Sequence, residues 1–223
     1  MTSLTALCAW TLWVLETQGP LLMDLQIRSI MQHLQFDLLA SLSQAVTLSS
    51  DAPGVIALTL PWTLWLLKAR HYAAFFHLVS AFGGIAVANV LFSQHQVDAG
   101  MAADASRIGG SPTYPDTLMS TIVVVYGLAG AFFAQALSSH RRAYVYWLAI
   151  ILCLLMALSR LVEGTHWTSD VIGGALLGLT VCGVTRVSYH RFAHAPLTSP
   201  PWLTLSLASL ALMTIRILWL PPA

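Results

Sequence analysis

Apolar residues in this chain run in long blocks, with neither the strict alternation of a strand nor the single apolar stripe of a soluble helix. Blocks broad enough to cross a bilayer fall at about 4–23, 52–67, 72–92, 117–137, 143–159, 171–189 and 202–220. Each approaches the roughly 20 residues that a spanning helix needs. The predicted fold is therefore all-α, a polytopic membrane helix bundle. The first block contains Glu16 and Gln18, and the short second block contains Pro61, so these two are expected to tilt, break or insert only in part. Between them, from Asp24 to Ser50, Leu, Ile, Met and Phe recur at helical spacing among Gln, Asp, Arg and His. That pattern predicts a helix lying along the membrane interface.

The loops between blocks carry charge unevenly. Lys68 with Arg70, Arg141 with Arg142, and Arg186 with Arg191 occupy alternate loops that contain no Asp or Glu. Short cytoplasmic loops are enriched in Lys and Arg, which predicts that these three face the cytoplasm. The opposite loops hold Asp24, Asp37, Asp51, Asp98, Asp104, Asp116, Glu163 and Asp170, with Arg28, Arg107 and Arg160 as their positive residues. The segments 94–116 and 160–170 are thereby placed on one outer side, where two loops can build one site.

Composition agrees with a membrane solvent. Hydrophobic residues make up 57% of the 223 and charged residues 9%, too little polar surface to cover a soluble domain of this size. A single membrane domain over 1–223 is the simplest organisation. The formal net charge of +1 and the lack of a basic run exclude the electrostatic footprint of a nucleic-acid binder. Cys8, Cys153 and Cys182 stand singly in apolar stretches, a spacing that suits neither a metal nor a disulfide framework. No metal or cofactor is expected. The first residues lack the basic start and cleavage site of a secretory signal, so a retained helix is expected there.

Chemistry concentrates between the fifth and sixth blocks, in Ser-Arg-Leu-Val-Glu-Gly-Thr-His-Trp-Thr-Ser-Asp from Ser159 to Asp170. His166 and Asp170 are four residues apart, so on a helical turn they share a face and the carboxylate can accept a hydrogen bond from one ring nitrogen. The other nitrogen is then free to act as nucleophile or base. Arg160 is a permanent planar cation suited to two phosphate oxygens at once. The three describe phosphoryl transfer better than acyl transfer, which requires a Ser or Cys nucleophile beside the base. The plainer alternative is an ion-paired outer loop in which Arg160 meets Asp170 or Glu163.

The spacing S-R-x5-H-x3-D, from Ser159 through Arg160 and His166 to Asp170, resembles the third signature of the type 2 phosphatidic acid phosphatases, a superfamily that includes polyprenyl-diphosphate phosphatases. The resemblance covers about 39–189 and implies six core transmembrane helices, with 201–221 as an extra seventh. It also implies His166 as the phosphorylated nucleophile, Asp170 as its orienting partner, and Arg160 with Ser159 as phosphate ligands. Gly173, Gly174 and Gly178 follow as in that family, and Gly174 with Gly178 forms a small-x3-small face for close helix packing. The other two signatures are degraded. Where the family has K-x6-R-P, residues 89–100 carry no Lys, Arg or Pro. Where it has P-S-G-H, the chain reads Tyr114-Pro115-Asp116-Thr117-Leu118. His95, Arg107 and Asp116 lie on the same outer loop and are the candidate substitutes, with solvated loop residues as the alternative.

Two functions follow from this pattern. The first is a lipid-phosphate or polyprenyl-phosphate phosphatase working through a phosphohistidine, in a bacterial inner membrane with its site facing the periplasm. The second is an impaired pseudophosphatase that serves as a membrane scaffold or as a subunit among membrane-protein partners. The intact third motif supports the first, and the lost general acid and phosphate donors support the second, since such groups contribute roughly 10² to 10⁴-fold and 10² to 10³-fold in rate. Elsewhere, His77 in mid-helix is read as a neutral His hydrogen-bonded between helices. His190 and His194 beside Arg186 and Arg191 are read as an interface anchor rather than a metal pair.

Overall fold

A computed structural model describes residues 2–16, 20–33, 36–98, 114–135, 137–164, 166–192 and 200–219, with the side chains of 93–98, 133, 139 and 219 left aside. Among the described residues the chain is all-helical. Its elements are α1 (Thr2–Glu16), α2 (Leu22–His33), α3 (Asp37–Thr47), α4 (Ala52–Lys68), α5 (Tyr72–Asp98), α6 (Thr117–Gln135), α7 (Ser139–Val162), α8 (Thr168–Phe192) and α9 (Trp202–Trp219). Stretches of α5, α7 and α8 are long and apolar enough to cross a membrane, over Tyr72–Phe92, His140–Val162 and Thr168–Phe192. The shorter α4, α6 and α9 are apolar as well. Several apolar helices of this kind make the chain a membrane protein with a polytopic helical bundle.

Helix α8 is the centre of the bundle. It packs against α6, α1 and α5 and buries residues along its length from Ser169 to Tyr189, while Leu179, Val184 and Val187 stay exposed. Its approach to α6 is set by glycine. A Cβ at Gly174 would lie 2.5 Å from the Asp116 carbonyl oxygen, and one at Gly178 would lie 2.6 Å from the Ser120 carbonyl oxygen. Both obstacles are backbone, so the small-x3-small face read from the sequence is what allows α6 and α8 to touch. Behind them, Ile85, Val124, Leu128 and Leu177 form the core that joins α5, α6 and α8.

The N-terminal third departs from expectation. The first span was expected to run to about residue 23, but α1 ends at Glu16 and a new helix begins at Leu22. Pro20 lacks a donor N–H, and Asp24 accepts a hydrogen bond from the Leu21 N–H at 3.0 Å, which fixes the new start. The interfacial stretch is two helices, α2 and α3, rather than one. Pro61 does not break α4, which continues to Lys68. At the far end, α9 lies on α4, and an ion pair between Arg216 and Asp51 joins the two; Arg216 is buried.

Helix directions follow from these contacts. The start of α4, α6 and α8 and the end of α7 lie at one end of the bundle. Lys68 with Arg70, Arg141 with Arg142, and Arg186 with Arg191 lie at the other end, where α4 and α8 finish and α7 starts. Among the described residues, the two groups separated by charge in the sequence are thus at opposite ends of one molecule.

Candidate active site

The segment between α7 and α8 is a tight reversal. Glu163 caps α7, and Gly164, with a φ of +67°, takes the left-handed conformation that closes a helix end and suits a residue without a Cβ. His166 and Trp167 follow, and α8 starts at Thr168. Asp170 is therefore the third residue of α8, and its carboxylate reaches back to accept a hydrogen bond from the Trp167 N–H at 3.1 Å. His166 precedes the helix rather than lying on it. Its Nδ1 is 4.0 Å from Asp170 Oδ2, adjacent but beyond hydrogen-bond range. The hydrogen bond expected from a shared helical turn is therefore replaced by proximity, because α8 begins two residues after His166. His166 Nδ1 is buried and has no hydrogen-bond partner among the described residues. Burial pushes the imidazole below its usual range, the negative Asp116 opposes that shift, and Arg160 adds to it.

Arg160, in the last turn of α7, is 5% exposed, so it must be compensated by protein groups. Two carboxylates do this. Its Nε donates to Asp116 Oδ2 at 2.9 Å, and its Nη1 donates to Glu163 Oε2 at 2.9 Å. Asp116 is fully buried, and its other oxygen caps α6 by accepting from the N–H groups of Leu118 at 3.0 Å and Met119 at 3.2 Å. The backbone N–H of Asp116 donates to the Asp170 carbonyl at 3.0 Å. The residue standing where the second signature is degraded is thus bound to two parts of the third.

The structure brings together Arg160, Asp116, His166 and Asp170. Ser159 is nearby in sequence, but its hydroxyl is engaged by the Met156 carbonyl at 3.0 Å and by Thr47 Oγ1 of α3 at 3.2 Å. Arg107 lies outside the described residues, as does the side chain of His95. His77 is hydrogen-bonded between helices as expected: Nδ1 bonds to the Ala73 carbonyl at 2.7 Å and Nε2 to Ser188 Oγ at 3.1 Å, linking α5 to α8. His190 is exposed at the end of α8, while His194 lies outside the described residues.

Sequence reasoning missed Asp24. It is buried at the start of α2 and accepts from the Ser169 N–H at 2.8 Å and the Ser169 hydroxyl at 2.9 Å. Trp10 of α1 donates to the Ser169 carbonyl at 3.2 Å, and the Arg28 guanidinium lies 4.6 Å from the Trp167 ring centroid. The N-terminal helices therefore hold the start of α8 from outside. No local pattern announces this, since Asp24 resembles any first-turn acid of an amphipathic helix.

A helical membrane bundle with a buried Arg, His and two Asp at one end defines a candidate phosphoryl-transfer site in a membrane protein. Residues 116–193 match the model of the PAP2 superfamily, the type 2 phosphatidic acid phosphatases, and this match supports membership of that superfamily. It begins at Asp116 and runs to the end of α8, spanning the residues just described and supporting a phosphatase-type function in general. No curated protein and no solved structure matches the chain.

Proposed function

We propose that this chain is a catalytically impaired member of the PAP2 superfamily, acting in the membrane as a scaffold or as a subunit of a larger assembly. The observation that carries the reading is the buried pair between Arg160 and Asp116. A phosphate entering the site competes with a carboxylate already seated on its main cation. Removing one partner from a buried pair costs about 3–5 kcal/mol, so displacement weakens binding by roughly 10² to 10³-fold or more. Glu163 adds negative charge around an anion that is itself negative. The degraded second signature also lacks the histidine that protonates the leaving group in the resembled family, a further loss of about 10² to 10⁴-fold.

A second reading retains slow hydrolysis of a lipid phosphate or polyprenyl phosphate. It is favoured by His166 and Asp170, which lie beside each other with the carboxylate fixed by Trp167. His166 would be the nucleophile, Asp170 its orienting partner and Arg160 the phosphate ligand, with the site on the extracytoplasmic face. One experiment separates the two. Purified protein is given short-chain lipid phosphates and diphosphates, and phosphate release and trapped phosphohistidine are measured beside His166→Ala. No release and no phosphohistidine is the expected result. Release that disappears in His166→Ala establishes the second reading and overturns the first.

A further inference from the structure

A cleft of about 330 Å³ lies inside the bundle at the end away from Arg160, walled by α4, α5, α6, α7 and α9. Voids in a packed interior rarely exceed one water, so this space is not a packing defect, and its size falls at the lower end of small-ligand sites. Its walls are almost wholly carbon. Ser209, one of the few polar residues there, spends its hydroxyl on the Leu58 carbonyl at 2.9 Å. Thr59 likewise spends its hydroxyl on the Val55 carbonyl at 2.6 Å, so the walls offer few polar partners; the helices that form them are surrounded by lipid, and the ligand chemistry is hydrocarbon. The opening lies between α7 and α9, marked by Leu148 and Leu210, which line the cleft yet remain 56% and 64% exposed.

The basic end of the bundle lies beside this cleft. Lys68 stands two residues beyond the wall residue Leu66, and Arg141 and Arg142 stand one turn before the wall residue Val145. All three cations are exposed. Trp62, on the wall, meets Trp202 of α9 edge to face at 6.0 Å, the kind of aromatic pair that sits at headgroup depth. On α6 the wall begins at Val125, nine residues beyond Asp116, or about 13 Å along the helix axis. The cleft and the Arg160 site are thus separate. One wall is α9, which lies outside the stretch matched to the PAP2 superfamily.

We propose that this cleft holds one acyl chain of an anionic glycerophospholipid from the leaflet opposite the Arg160 site, with its headgroup on Lys68, Arg141 and Arg142. The inference does not depend on whether the protein is a phosphatase. Basic residues near a membrane surface attract anionic lipid by about 1 kcal/mol each, so each cation contributes roughly five-fold in occupancy.

The test uses full-length protein in nanodiscs carrying a trace of phosphatidylglycerol with a diazirine at its acyl terminus. After photolysis, cross-links are mapped by mass spectrometry. Labelling is expected on Leu148, Ala149, Leu210 and Met213, and at least about five-fold less with the matching phosphatidylcholine probe. Replacing all three cations, Lys68, Arg141 and Arg142, with Gln removes that difference, and Arg160→Gln leaves it intact. Gly130→Leu fills the cleft and removes the label. A Cβ at Gly130 meets the Ala149 Cβ at 3.5 Å, an ordinary contact, so the first carbon of the new side chain is accommodated. Three results overturn the proposal. Labelling spread evenly over lipid-facing Tyr144 and Ile151 means no site. Equal labelling by both headgroups in the unaltered protein removes the anionic lipid, and this arm needs no variant to fold. Loss of the label in Arg160→Gln assigns the cleft to the tail of a ligand held at the other end.

Discussion

Replacing Asp116 with Asn tests the closed state of the Arg160 site most directly. Asp116 is fully buried and uses both oxygens, one on the N–H groups of Leu118 and Met119, the other on Arg160. Asn retains an oxygen for the helix cap, where Asn and Asp are about equal, but it removes the charge opposite Arg160. Breaking a buried pair from one side costs about 3–5 kcal/mol. Glu163 still holds Arg160 at 2.9 Å, so the lower end applies, about 3 kcal/mol. For a chain of this size that lowers the melting temperature by about 6–12 °C. Asp116→Ala also loses the cap and should cost about 1 kcal/mol more. The assay is thermal unfolding in detergent with and without inorganic phosphate or vanadate. An anion that replaces the lost carboxylate restores about 2.7 kcal/mol at 100 times its dissociation constant, so Asp116→Asn should recover most of its loss while the unaltered protein does not respond. If Asp116→Asn is as stable as the parent, the ion pair carries no weight. If the parent responds to phosphate as strongly as the variant, Arg160 is open and the reasoning fails.

Three further outcomes are expected. His166 is pushed below its usual value of 6.5, so the unfolded chain binds its proton first as pH falls and stability rises with pH through that window; His166→Gln should lose less stability than the parent between about pH 7 and pH 5 in a detergent unfolding series. Gly178→Leu drives a side chain into the Ser120 carbonyl and Val123, so α6 and α8 must separate; a loss of at least about 3 kcal/mol is expected, and an unchanged melting temperature would show that the helices are not in contact. For orientation, single cysteines belong at exposed positions: Ser29→Cys on α2 should react with an impermeant thiol reagent from outside and Ser138→Cys should not, whereas Ser169 is buried against Asp24 and reports nothing. Labelling of Ser138→Cys alone reverses the assignment of the two faces.

Sequence alone determined the class of the molecule, because apolar blocks near 20 residues have only one stable solution in lipid, a bundle whose backbone groups are satisfied within each helix. It also determined that Asp116 and the Arg160–Asp170 segment share one end, since alternate loops of like charge must alternate in space. Gly174 and Gly178 announced the close approach of α6 to α8 because a helical period converts their spacing directly into a face. What it left open was the partner of each charge. Arg160 had Asp170 and Glu163 as nearby acids in the chain, yet it pairs with Glu163 and with Asp116, 44 residues earlier. Asp24 reaches Ser169 across 145 residues. Such pairs depend on which helix ends meet and how each is rotated, and packing of the whole bundle sets that rotation. The His166–Asp170 separation turned on the start of α8 at Thr168, a boundary that capping by Asp170 and the turn at Gly164 decide together.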